Sequence, residues 1–344
     1  MPDLKLQLAC FHYDRVQPLL DGRVKPAGID LDIVISRPHE TFTRMLNDQA
    51  FEAAELSLAS YVTLIARGEC PFVAMPVALS KIFRHSCIYI RTGAGIRHAS
   101  DLKGKRVGVT QYGATATVFM KGLLADEYGV HARDIHWFVG GLTAPTQPPL
   151  VPLALPPDIR LEFVGGDDTL EAMLERGELD ALLSIYLPPS FLAGKAHIAR
   201  LFPDFKAAET EHFRKTGIFP IMHAVVVRKD VVAAHPWVPA NLYAAFTAAK
   251  DMAISGLYDT DALHLSLPFL LDHVEESRRV FGDDFWSYGH APNRPALAAL
   301  GRWVHEQGLA PRVVSSEEIF DPAFDRPERH GAAPTIRQGP VTRV

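Results

Sequence analysis

Two histidines, one glutamate and a few arginines carry the residue types that could do chemistry in this chain. His85 lies in Phe83-Arg84-His85-Ser86, and His223 ends the run Thr216-Gly217-Ile218-Phe219-Pro220-Ile221-Met222-His223. An imidazole gives or takes a proton near neutral pH, which contributes roughly 10²–10⁴ in rate when it is aimed at a reacting atom. Among 15 histidines most must be ordinary, and these two stand out because each sits where the chain crosses between lobes. Glu55, at the end of the apolar run 51–56, could orient a histidine or accept a proton; it reads equally as a capping or buried paired carboxylate. Arg84, Arg15 and Arg294 offer planar guanidinium forks that match carboxylates. Arg84 is the strongest because it stands beside His85, whereas Arg15 and Arg294 read equally as salt-bridge partners. Tyr13, Ser57, Ser60, Tyr112, Thr115, Thr117 and Tyr186 supply hydroxyls for the oxygens of a ligand.

The elements that must position these groups follow from apolar spacing and from Gly and Pro punctuation. Residues 4–10, 29–35 and 51–56 read as strands separated by helical stretches at 16–21 and 41–46, a β-α-β-α-β order that implies a parallel sheet covered by helices. The stretch 84–117 reads as a crossing strand over 86–90, a helical turn capped by Ser100, a buried strand at 106–109 and a small-residue loop opening a helix over 115–128, with Gly129 as its stop. Small residues at such a helix N-terminus let an anion approach unpaired backbone N–H groups, although the same residues could simply cap and pack the helix. Further strands are expected at 135–139, 159–164 and 179–185, around a Pro-rich excursion at 144–157. Asp168-Thr169-Leu170-Glu171 opens a short helix that Gly177 ends. The return crossing at 216–223 leads into the strand 224–227, and from Pro236 the chain reads as helical. The polar-aromatic loop 283–294 is of a kind that touches a ligand or another subunit, which leaves a homo-oligomer open.

The expected architecture is α/β and bilobal: two lobes joined by two crossing strands, with a helical C-terminal segment packing back on the first. Residues 1–91 and 224–320 form the first lobe, 92–223 the second, and 321–344 an extended arm. In open parallel sheets ligands bind beyond the carboxyl ends of the strands, and here two such edges face one another.

Composition narrows the function classes. A chain of 344 residues with 48% hydrophobic and 22% charged residues can build two substantial cores. Its 35 basic against 40 acidic residues give a net charge of −5, so neither nucleic acid nor anionic membrane is an expected partner. The start of the chain lacks the pattern of a secretory signal, and three cysteines without metal-type spacing suit a reducing compartment, so a cytoplasmic location is expected. No dinucleotide fingerprint, phosphate loop or metal-ligand spacing is present.

Several motifs together are recognisable. Ser100-Asp101-Leu102-Lys103-Gly104-Lys105-Arg106-Val107-Gly108-Val109 resembles the entry into the second domain of type II periplasmic-binding-protein-like folds. Glu55-Leu56-Ser57-Leu58-Ala59-Ser60-Tyr61, Phe83-Arg84-His85-Ser86 with Ile88-Tyr89-Ile90-Arg91, Gly140-Gly141-Leu142, the 214–223 crossing and Asp284-Phe285-Trp286-Ser287-Tyr288-Gly289 resemble the 4,5-dihydroxyphthalate decarboxylase family out to about residue 320. The resemblance implies a cytoplasmic enzyme that removes one carboxylate from a hydroxylated aromatic diacid without an organic cofactor, giving protocatechuate and CO2. Such a reaction needs cations to hold carboxylates, for which Arg84, Arg15 and Arg294 are the candidates, and proton carriers, for which His85, His223 and Glu55 are. Two departures stand in the second lobe: Gly113-Ala114 replaces an expected Gln-Leu pair, and Ile185-Tyr186-Leu187 lacks an expected arginine. A non-catalytic cytoplasmic binding protein for an aromatic carboxylate is the alternative.

Overall fold

The computed structural model describes residues 3–263, 265–325 and 334–336. Its strands are β1 (Leu4–Cys10), β2 (Val24–Lys25), β3 (Ile29–Ile35), β4 (Ala53–Ser57), β5 (Phe72–Ala74), β6 (Ser80–Lys81), β7 (Ile88–Arg91), β8 (Arg106–Val109), β9 (His136–Val139), β10 (Arg160–Phe163), β11 (Ala181–Leu183), β12 (Ile198–Arg200), β13 (Ile221–Arg228) and β14 (Thr335–Ile336). The helices are α1 (Gln17–Leu20), α2 (Pro38–Asp48), α3 (Leu58–Arg67), α4 (Thr115–Tyr128), α5 (Leu170–Arg176), α6 (Pro189–Leu192), α7 (Phe205–Thr216), α8 (Lys229–Ala234), α9 (Val238–Gly256), α10 (Leu270–Phe281), α11 (Arg294–Glu306) and α12 (Ser316–Ile319).

Two sheets organise the chain. The first runs β3-β1-β4-β13-β5, with β6 also paired to β13; β1, β3 and β4 are parallel, and β13 returns antiparallel to β4. β4 is buried along its whole length, as expected of a strand covered by helices on both faces. The second sheet runs β10-β9-β8-β11-β7-β12; β8, β9, β10 and β11 are mutually parallel, and β7 runs antiparallel to both its neighbours, β11 and β12. Helix α4 spans the expected residues, ending where Gly129 adopts φ 65°, and α5 is capped by the Thr169 side chain.

Three local expectations are corrected. Residues 85–87 form a 3₁₀ turn rather than strand, and β7 hydrogen-bonds within the second sheet, so the chain has already crossed by Ile88. The turn at 99–102 is capped not by Ser100 but by His98, with the Asp101 carboxylate accepting the backbone N–H groups of Arg97 and His98, both at 2.8 Å. The third concerns the C-terminal helical segment, which packs on the first lobe through α9 as expected and also reaches the second. α11 meets α4 because Gly122 leaves room for the Trp303 indole, which an added Cβ would approach to 2.1 Å. The Gln307 amide then donates to the Val118 carbonyl at 2.9 Å. Of the expected arm, Thr335–Ile336 pairs with β2, while 326–333 and 337–344 lie outside the described residues. Among the described residues no helix is long and apolar enough to cross a membrane.

Candidate functional site

The carboxyl edge of the first sheet gathers chemistry from distant parts of the sequence. β1 ends there at Cys10, β4 ends there at Ser57, and β13 starts there, running back so that His223 lies directly opposite Ser57. Residues two apart on a strand share a face, and opposed residues of an antiparallel pair share it too, so Glu55, Ser57 and His223 converge.

Glu55 has no solvent exposure and is fully used. Its Oε1 accepts from the Tyr13 hydroxyl at 2.5 Å and from His223 Nδ1 at 2.7 Å, and its Oε2 accepts from the Phe11 backbone N–H at 2.8 Å. Burial alone raises a carboxyl pKa, but the hydrogen bond and charge of His223, then Tyr13 and Phe11, outweigh it and hold Glu55 below the ordinary range. Burial, followed by the Glu55 charge and hydrogen bond, pushes the Tyr13 phenol far up, so it remains a donor. With Nδ1–H committed to an ionised carboxylate, the tautomer and orientation of His223 are set. Its Nε2 makes no hydrogen bond among the described residues, its side chain is 20% exposed, and its ring is braced edge-on by Phe42 at 4.9 Å.

The arginines differ in their partners. Arg15 is sandwiched between the Tyr13 ring at 4.1 Å and the Trp286 ring at 4.2 Å, with Nε donating to the Leu79 carbonyl at 2.8 Å and Nη1 to Asp14 at 2.9 Å. Arg84 is partly buried and donates only to sulfur, to Met222 Sδ at 3.4 Å and Cys87 Sγ at 3.8 Å. Sulfur is a weak acceptor, and among the described residues no carboxylate ion-pairs with Arg84, although its charge acts on the Glu209 carboxyl. Arg294 is exposed at the start of α11, and Tyr186 is exposed on the loop after β11.

The two sheets touch through hydroxyls at helix N-termini. Ser57 Oγ and Thr115 Oγ1 are 2.9 Å apart, Thr115 Oγ1 accepts the Ala59 N–H at 3.0 Å, and the Ser60 hydroxyl donates to Ser57 Oγ at 3.1 Å. Thr115 of α4 therefore helps to cap α3 beside His223.

Other expected site residues lie elsewhere. His85 is not brought to His223; it is buried, edge-on to Phe202 at 5.2 Å and His212 at 5.4 Å, with Glu209 Oε1 at 3.9 Å from its Nδ1. Burial first, then the His212 charge, lowers its pKa to about 4, with Glu127 opposing, so the ring is neutral at pH 7. Tyr112, expected to bind ligand, is a core residue: it is 1% exposed, its hydroxyl donates to the Gln307 carbonyl at 3.1 Å and the Lys121 ammonium lies 3.1 Å from its ring centroid. Thr117 is buried within α4. Trp286 lies in the polar-aromatic loop 283–294 that the sequence singles out; missed from the sequence are Phe42 and Ser80, the latter opposite His223 on a strand of two residues, too short to show any alternation. The side chains close enough to share a metal ion among the described residues, Asp272, His273 and Glu276, sit on α10 away from this edge.

Comparisons with known proteins bear on the family and the fold. Residues 12–185 match a family model described as the periplasmic substrate-binding protein of a phosphonate ABC transporter. The periplasmic sulfonate-binding protein SsuA from Methylobacillus flagellatus KT superposes with a TM-score of 0.52 at 14% identity over 94% of this chain and 93% of its own, a likeness of fold. A 4,5-dihydroxyphthalate decarboxylase of Pseudomonas putida is 37% identical over 214 residues, 62% of this chain and 83% of that protein. The 4,5-dihydroxyphthalate decarboxylase of Comamonas testosteroni is 39% identical over 323 residues, 94% of this chain and 98% of that protein. On an identity of that extent, the chain belongs to the 4,5-dihydroxyphthalate decarboxylase family and builds its site on a periplasmic-binding-protein-like fold.

Proposed function

We propose that this protein is a decarboxylase of a hydroxylated aromatic dicarboxylic acid, 4,5-dihydroxyphthalate, which it converts to protocatechuate and CO2. The observation that carries the reading is the His223 imidazole, held through Nδ1 by the buried Glu55 with Nε2 left free. Breaking an aryl–carboxylate bond directly would leave an aryl anion. The lower route adds a proton to the ring carbon that bears the carboxylate, assisted by electron donation from the para hydroxyl. The carbon–carboxylate bond then breaks, its electron pair restores the aromatic ring and CO2 departs; one proton is consumed per turnover. His223 acts as the imidazolium, with Nδ1–H on Glu55 and a second proton on Nε2; it delivers the Nε2 proton to the ring carbon and regains one from water, Glu55 and Tyr13 keep the ring aimed, and the Arg84 guanidinium grips a carboxylate. Arg294 and Tyr186, both exposed, are the further groups offered to the oxygens of the diacid. His85, buried and neutral, stands outside these steps. Three free, buried cysteines support the cytoplasmic location.

The test incubates the purified protein with 4,5-dihydroxyphthalate and follows CO2 and protocatechuate together, in H2O and in D2O. Equal release of both, with deuterium at the vacated ring carbon and loss of turnover in His223→Ala, is the expected result. Binding without release would replace this reading with a non-catalytic binding protein for aromatic carboxylates.

A further inference from the structure

Lys81 is 5% exposed, and among the described residues no carboxylate ion-pairs with it. Asp284 and Lys250, the charges that face it, are bonded to each other at 2.7 Å. Burial, reinforced by Lys250 and opposed by Asp284, lowers its pKa to about 7. An ammonium in such a place costs stability unless its donors are used. They are used on one loop: Nζ donates to Asn293 Oδ1 at 2.9 Å and to Ser287 Oγ at 3.3 Å, over the Phe219 ring at 4.7 Å. Asn293 donates in turn to the carbonyls of Ser287 at 3.1 Å and Gly289 at 2.8 Å. The same loop is fastened to the segment before Lys81 by the Trp286 indole on the Ala78 carbonyl at 3.2 Å and by the Gly289 N–H on the Pro76 carbonyl at 2.8 Å. That segment also supplies the Leu79 carbonyl that holds Arg15, and Ser80 opposite His223.

We propose that Lys81 is a positioning residue of the site: it pins the loop 286–293 from the C-terminal helical segment against the strand beside His223. Trp286 is thereby pressed on one face of Arg15, Arg15 on Tyr13, and the Tyr13 hydroxyl on Glu55, which aims His223. The proposal rests on the reading of His223 and Glu55 as the reacting pair.

The experiment is a double-mutant cycle with a spectroscopic arm. Lys81→Met and Trp286→Phe are each expected to lower kcat, by up to about 10²-fold for an imidazole displaced by an ångström, with KM for 4,5-dihydroxyphthalate little changed. The double variant is expected to be no slower than the slower single variant, because both changes cut one chain of contacts. The Trp286 emission, isolated as the difference between proteins with and without Trp286→Phe, should shift to the red and become more quenchable by acrylamide in Lys81→Met. Effects that multiply, an unchanged kcat in Lys81→Met, or an unaltered Trp286 emission would each overturn the proposal. Should Lys81→Met fail to fold, Lys81→Gln, whose amide nitrogen stops one bond short of the Nζ position and so leaves Asn293 Oδ1 without its donor, is held to the same outcomes. Absence of turnover in the unmutated protein would refute the decarboxylase reading, while the emission arm would still decide whether Lys81 sets the loop.

Discussion

Replacing Glu55 by glutamine keeps the shape of the side chain and removes its charge. Glu55 accepts three hydrogen bonds, from Phe11 N–H, Tyr13 O–H and His223 Nδ1–H, all inside the protein. A glutamine has one carbonyl oxygen and presents an NH2 group where the carboxylate had a second acceptor, so at least one of the three donors is left facing another donor. Hydrogen bonds to charged groups contribute about 1.5–3 kcal/mol each, and stranding a buried partner costs a similar amount, so Glu55→Gln should destabilise the fold by about 3 kcal/mol. The catalytic loss should be larger, because an amide N–H turned toward Nδ1 changes the tautomer of His223; a fall in kcat of about 10²–10⁴ is expected. The pH dependence supplies an independent check. Glu55 has a folded-state pKa below its unfolded value, so the unfolded chain binds more protons and stability rises with pH. The Glu55 contribution is complete above the ordinary carboxylate value near about 4.3 and is lost as the pH falls through the lower folded value. Glu55→Gln should therefore flatten the acid limb of the stability curve measured by denaturant unfolding. A Glu55→Gln enzyme that folds and retains most of its kcat would refute the assignment of His223 as an oriented proton donor.

Arg84→Ala should raise KM and the calorimetric Kd for the diacid by about 10- to 100-fold, the loss of one charge-assisted pair, with kcat largely kept; an unchanged Kd would remove Arg84 from the binding machinery. His85→Gln should keep turnover, since the ring packs against Phe202 and His212 apart from the Glu55 cluster; abolished turnover in a folded variant would return His85 to the chemistry. The folded pKa of His85 is depressed to about 4, so the unfolded chain binds more protons between that value and about 6.5, and stability rises with pH across the window. His85→Gln should make that slope shallower, as read from thermal melts at a series of pH values.

Much of the fold was legible because the signals are local. The strands at 4–10, 29–35 and 106–109 follow apolar spacing, and α4 closes at Gly129, which takes the left-handed conformation that glycine permits. β7 was misplaced for the opposite reason. An apolar strand states that it is buried, but not in which sheet, and only its pairing with β11 and β12 assigns it to the second.

By itself the sequence determined the α/β class, the two crossings, and the residue types from which a proton carrier, a carboxylate clamp and hydroxyl donors could be drawn. The family resemblance gave those types a substrate. Tertiary structure alone decided which of them meet. Glu55 and His223 are 168 positions apart and touch through the antiparallel register of β4 and β13, a long-range pairing that no local pattern encodes. His85 and His223 looked equivalent as crossing histidines, yet one is packed among rings with its Nδ1 unbonded and the other is oriented by an ionised carboxylate. Tyr112 and Tyr13 looked equivalent as loop tyrosines, and one is core while the other holds Glu55. The physical reason is common to all three: a side chain's chemistry is set by its burial and its partners, and in this chain those partners come from distant segments.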